Sequence, residues 1–290
     1  MAKNRETRER VEDERALRAR LAVPVTAGGV LYLLGAITLY QSLLHLPTVG
    51  ILQGLAPALA GKAGSAVSPQ APEVRFLSHH AFGLIAGSAL QAGALVALLM
   101  LLVFLSDATQ ARSGEASRTP RTLVLIGGGA SAIVVVAGQV VRAINTHSFV
   151  TGHDLSQHAV ERAVTTGAAN ALAGYLGLLA PVVLVVGMVM VLLRATRVGL
   201  IPRWLRAFGI VAAILMLPLF AQAFTLQIIP AAWMVATGFM LMGRLPGGHP
   251  PAWESGESIP WPAPAGRRQA AGSNGAGARR GGRLSEASAR

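Results

Sequence analysis

Five long stretches contain no Asp, Glu, Lys or Arg: residues 21–61, 76–106, 122–141, 163–193 and 207–242. No other feature restricts the fold as much. A helix rises ~1.5 Å per residue, so ~20 apolar residues cross the ~30 Å hydrocarbon layer of a bilayer. A soluble domain carries about a quarter charged residues, whereas here they make up 13% of 290. In lipid every backbone N–H and C=O must be satisfied within its own segment, which selects helices. The pattern therefore predicts an all-α polytopic transmembrane helix bundle.

The last stretch, Ala207 to Met242, is 36 residues long. As one helix it would measure ~54 Å, too long for one crossing. Pro218, Gln222 and Gln227 mark a turn within it. Six spans follow, at about 21–46, 80–105, 122–144, 167–193, 205–220 and 224–242. They sit between a charged leader, 1–20, and a tail, 244–290, rich in Gly, Pro, Ser, Ala and Arg with no apolar periodicity. Such a tail cannot bury enough surface to fold and is expected to be disordered. Thr119 and Pro120 supply an N-cap and a first-turn proline for the third span.

Charge orients the bundle. With six spans, 21 of the 25 Lys and Arg residues fall on one side, in the leader, 107–121, 194–206 and the tail. Only Lys62, Arg75, Arg142 and Arg162 fall on the other. Basic residues stay cytoplasmic, so the expectation is N-in and C-in in a plasma membrane, with anionic headgroups meeting the basic flanks. The pI near 11.6 is explained by these flanks and implies no nucleic-acid partner.

Small residues let helices approach closely in lipid. Gly83 and Gly87 are at GxxxG spacing, residues 127–132 read GGGASA, and Gly167/Ala171 and Asn170/Gly174 repeat the pattern before Gly177 and Pro181. Packing within the bundle is the expectation, and a homo-oligomer face is the alternative. The neutral polar residues of the spans are Gln91, Gln139, Asn170, Gln222 and Gln227. They read as hydrogen-bonding links between helices. A small-solute transporter would instead line a polar path with Gln91, Gln139 and Asn170. Arg142, at the last turn of the third span, would snorkel to the interface or pair with Asp154 or Glu161.

The stretch NTHSFVTGHDLSQH, Asn145 to His158, concentrates imidazoles. The topology brings His45, His79, His80 and His147 to one membrane depth, with His153 and His158 in the loop above. Within that loop Asp154 and Gln157 have capping-box spacing, predicting a helix over about 155–165. These six histidines could take zinc, copper or haem iron. Their spacing matches no fixed ligand motif, so histidines resting at the headgroup level are the simpler reading. No motif demands a cofactor. The chain has no Cys and no GxSxG, which removes thiolate catalysis and points away from an enzyme.

The charged leader, the long first outer loop and GLIPRWLRAFGI, Gly199 to Ile210, resemble uncharacterised multi-pass membrane proteins of high-GC bacteria. The resemblance implies fold and location and carries over no catalytic residue. The functional expectation is an integral membrane protein acting by interaction or sensing through outer loops and cytoplasmic tails, with a protein partner or a second copy. The alternatives are an outer-face metal or haem protein and a small-solute transporter.

Overall fold

The computed structural model describes residues 2–47, 50, 59–61, 68, 70–114, 117–152, 156, 160, 168–218, 224–245 and 250–259. Among them there is no β-strand. The helices are α1 (Ala2–Leu43), α2 (Ala71–His79), α3 (Ala81–Ser113), α4 (Thr119–Thr151), α5 (Ala168–Arg197), α6 (Arg203–Leu215), α7 (Phe224–Leu241) and α8 (Pro251–Ser255). Five of them, α1, α3, α4, α5 and α7, are long and apolar enough to cross a membrane. α6 has 13 residues, ~20 Å of helix. α1 is continuous from the leader into the first span.

The outward faces are apolar at helical spacing. Ile126, Ile133 and Ile144 of α4 are 61%, 68% and 60% exposed. Leu172, Leu176, Leu179 and Val186 repeat the pattern on α5, and Val23, Val30 and Leu34 on α1. Isoleucines on one surface stripe are costly in water and match acyl chains. The chain is thus built as a membrane protein, and its exterior says so independently of its composition.

Consecutive long helices pack antiparallel, and α7 returns to α1, so that α1, α3, α4, α5, α6 and α7 form a ring. Glycine sets the spacing at most of its seams. A Cβ on Gly35 would sit 2.7 Å from the Gly87 carbonyl, and one on Gly28 would sit 2.7 Å from the Ala97 methyl. Across the α4–α5 seam a Cβ on Gly127 would strike the Leu184 backbone, and one on Gly187 would lie 2.9 Å from the Val124 nitrogen. At the α1–α7 seam a Cβ on Gly29 would lie 2.7 Å from the Ala231 carbonyl. Gly83 packs against Ser42. The GxxxG pair Gly83/Gly87 and the glycine at the start of GGGASA thus serve packing within the chain, as their spacing predicts.

The ring has two unlike halves. At the end where α3 finishes and α4 begins, named here for Arg112, α3 also touches α5 across the ring. Leu98, Leu101, Leu102, Leu105, Met188, Leu192, Leu205, Trp233 and Met234 fill the centre and are fully buried. Trp233 donates its indole N–H to the Leu205 carbonyl at 3.1 Å, which ties α7 to α6.

Over this end lies α8, within the 244–290 segment; residues 260–290 are outside the described residues. Trp253 is 4% exposed. Its ring stacks on Phe104 with centroids 5.5 Å apart, and Arg18 and Arg112 each lie 5.2 Å from its centre. Its indole N–H donates to the Leu200 carbonyl at 3.0 Å. Arg112 donates Nη1–H to Glu14 at 3.1 Å and Nε–H to the Ala252 carbonyl at 3.1 Å. α1, α3 and α8 are joined through this one guanidinium, whose side chain has 0% exposure.

Two stability outcomes follow. Gly35→Ile and Gly187→Ile, each forcing a seam apart, should cost on the order of 1–3 kcal/mol, whereas Gly129→Ile, with nothing within 4 Å of a Cβ, should be neutral. Thermal unfolding in detergent, followed by size-exclusion fluorescence, reads the difference. Arg112→Met should cost ~3 kcal/mol by leaving Glu14 unpaired, and the double variant with Glu14→Gln should recover part of the loss in the same assay.

Candidate functional site, a central cavity

In the opposite half, at the Arg142 end, the ring is not filled. A cavity of about 490 Å³ lies between the helices, within the ~300–1,000 Å³ range of small-molecule sites. It is bounded by Tyr32 and Leu39 of α1, Gln91 and Leu95 of α3, and Ser131, Val134, Val135, Gly138, Gln139 and Arg142 of α4. α5 contributes Asn170, Ala173, Gly174, Gly177, Pro181 and Leu184. Met216 and Pro218 after α6, and Gln227 of α7, complete the wall.

The space exists because the inward faces of α4 and α5 are small here. A Cβ on Gly138 or Gly174 would meet nothing within 4 Å. Gly174, which the sequence pattern casts as a packing residue, therefore borders a void instead, while Gly167 lies outside the described residues. Pro181 has no N–H, so the Gly177 carbonyl lacks its intrahelical donor. Towards the Arg112 end Leu95 and Leu184 close the floor, and the dry leucine and methionine packing continues beneath them.

The polar groups divide into satisfied and unsatisfied. The Tyr32 hydroxyl donates to Gln227 Oε1 at 2.6 Å, so that Gln227 links α7 to α1 as expected. Asn145 Nδ2 donates to Asn170 Oδ1 at 3.1 Å, holding α4 to α5 at the mouth. Two buried polar atoms of the lining have no protein partner among the described residues: the Ser131 hydroxyl, which can donate or accept, and Gln139 Oε1, which accepts. A buried polar atom left unpaired costs ~1–3 kcal/mol, and these two share one wall of the cavity. Arg142 is exposed at the rim, and no described carboxylate pairs with it. Asp154 and Glu161, its expected partners, lie outside the described residues.

The histidines are placed differently. His45, His79, His80 and His147 are all exposed. His80 stacks on Phe76 with centroids 4.0 Å apart, and its Nδ1 lies 3.0 Å from the Phe76 carbonyl. Among the described residues no three His, Asp or Glu side chains converge on a point that could hold a metal ion. His153 and His158, and the capping box at Asp154, lie outside them.

Gln91, Gln139 and Asn170, far apart in the sequence, do share one cavity. The sequence reading missed Ser131, Gly138 and Gly174. Their only sequence signal was small size at positions that helix packing explains equally well. No protein family, curated protein or solved structure matches this chain.

Proposed function

We propose that this chain is a solute-binding membrane protein whose cavity is the loading site of a small-solute transporter. One observation carries the reading: a cavity of about 490 Å³, lined by Gln91, Gln139 and Asn170 and sealed towards the Arg112 end by apolar packing. Ser131 Oγ and Gln139 Oε1 present hydrogen-bonding capacity to this space that no described protein group meets, and a solute entering it can exchange for water there. The reading favours solute handling over action through loops and tails, because the unmet hydrogen-bonding capacity lies inside the bundle.

The proposed topology is six crossings with both termini cytoplasmic, in the plasma membrane of a high-GC bacterium. The 21-to-4 distribution of Lys and Arg supports it. α6, running antiparallel to α7 and packed between α5 and α7, makes the sixth crossing together with the turn at 216–218. In that frame the Arg142 end faces outward. The cavity is open to the outside and closed to the cytoplasm.

The natural sequence has no Cys, so single cysteines report accessibility without background. In intact cells a membrane-impermeant methanethiosulfonate should label Gly138→Cys and Gly174→Cys. Gly114→Cys, between α3 and α4, should react only after permeabilisation, and Leu101→Cys, in the dry half, in neither case. Unreactive 138 and 174 positions in a folded protein would remove the cavity reading. A Gly114→Cys variant reactive in intact cells would invert the topology.

A further inference from the structure

Among the described residues the cavity lining contains one charged residue, Arg142, and no carboxylate. Arg142 makes no ion pair or hydrogen bond among the described residues. A guanidinium is charged at any physiological pH, and at the border of a low-dielectric bundle its charge needs a counter-ion or water. Arg121, at the other end of the same helix, has one: its Nε lies 3.0 Å from Asp107 Oδ1. Arg112, more deeply placed, has Glu14. Arg142 borders the cavity with no carboxylate partner among the described residues.

The rest of the lining states what the counter-ion should be attached to. Leu39, Leu95, Val134, Leu184 and Met216 offer an apolar wall. Gln139 Oε1 can accept from a donor, and the Ser131 hydroxyl can accept or donate; neither has a partner among the described residues. Ser131 is eleven residues below Arg142 on α4, ~16 Å along the axis. A cationic solute would meet Arg142 as a like charge and find no carboxylate to replace its hydration. An inorganic anion would leave the apolar wall and the acceptors unused.

We infer that the cavity binds a small organic anion, with its carboxylate or equivalent acid group at Arg142, an apolar body along the leucine and valine wall, and a hydrogen-bond donor reaching the acceptors on α4. This inference rests on the cavity being a solute site, and it adds the chemical class. Recognition divides between the two ends. The forked guanidinium holds the acid group, ideally by two parallel N–H···O bonds. The apolar middle excludes heavily hydrated ions. The acceptors reward a hydroxyl or amide N–H.

Three probes with one body and different charge test it: 4-hydroxyphenylacetate, its neutral primary amide, and tyramine. Binding is read on the full-length protein in nanodiscs by the rise in Tm with ligand concentration, which gives an apparent Kd. The acid should bind most tightly, the amide more weakly, and tyramine not measurably. Arg142→Gln should weaken the acid at least tenfold while changing the amide little, and Arg142→Lys should keep part of the acid's advantage. Gly174→Leu, whose Cβ meets nothing within 4 Å and whose branch extends into the cavity, should abolish binding of all three.

Equal binding of acid and tyramine to the natural protein, lost for both in Gly174→Leu, would overturn the anion inference and leave the cavity as a solute site. So would an Arg142→Gln variant that still prefers the acid. Binding of none of the three, or binding unaltered by Gly174→Leu, would overturn the solute site itself.

Discussion

The whole structure depends on how closely two helices can approach when both are bathed in hydrocarbon. Burying a leucine against another leucine gains little when the alternative neighbour is an acyl chain, so association rests on dispersion between closely opposed backbones. At Gly35 and Gly87, at Gly29 and Ala231, and at Gly127 and Leu184 the backbone of one helix lies where a side chain would otherwise stand. These contacts fix α1 between α3 and α7, and α4 against α5. Once those seams are set, the circular order of helices and the width of the central space follow.

That central space is treated in two ways along one ring. In the Arg112 half, large side chains point inward, and Leu98, Leu101, Leu105, Met188 and Trp233 close it completely. In the Arg142 half the inward positions of α4 and α5 carry Gly138, Ala173, Gly174 and Gly177. The same residue type that joins helices at Gly35 and Gly127 opens a cavity at Gly138 and Gly174. What decides between the two outcomes is whether a neighbouring backbone occupies the space in front of the missing side chain. The ends are fixed by different means. Arg112, Glu14 and Trp253 bind three chain segments at one end, while at the other side-chain hydrogen bonds from Asn145 to Asn170 and from Tyr32 to Gln227 join neighbouring helices.

Much of this was legible in the sequence. Absence of charge over a bilayer's length marks where helices meet lipid, and α3, α4, α5 and α7 lie where those stretches predict. Hydropathy did not mark helix ends: α3 continues through the polar residues up to Ser113 and α4 through Asn145 to Thr151. Backbone hydrogen bonding does not stop where lipid does. Gln91, Gln139 and Asn170 could be named together because amides are scarce in these spans, but nothing in one dimension says that they share a cavity. The burial of Trp253 was hidden by its Pro- and Gly-rich surroundings, although an indole in such a segment is itself a reason to expect a docking contact. The histidines are crowded in the sequence; of the six named, His45, His79, His80 and His147 are exposed, and His153 and His158 lie outside the described residues.

The central claim is that two faces of one helix meet two solvents: α4 shows lipid its isoleucines and shows a wet cavity its opposite side. Val135 lines the cavity and Ile133, two residues away, is 68% exposed on the outside. The most direct test is power saturation of a nitroxide at each position, in lipid, with oxygen as the apolar relaxant and a neutral nickel chelate as the aqueous one. The account predicts that a label replacing Val135 is relaxed chiefly by nickel and one replacing Ile133 chiefly by oxygen. If oxygen dominates at both positions, the interior is as dry as the exterior, and neither the cavity nor the function built on it survives.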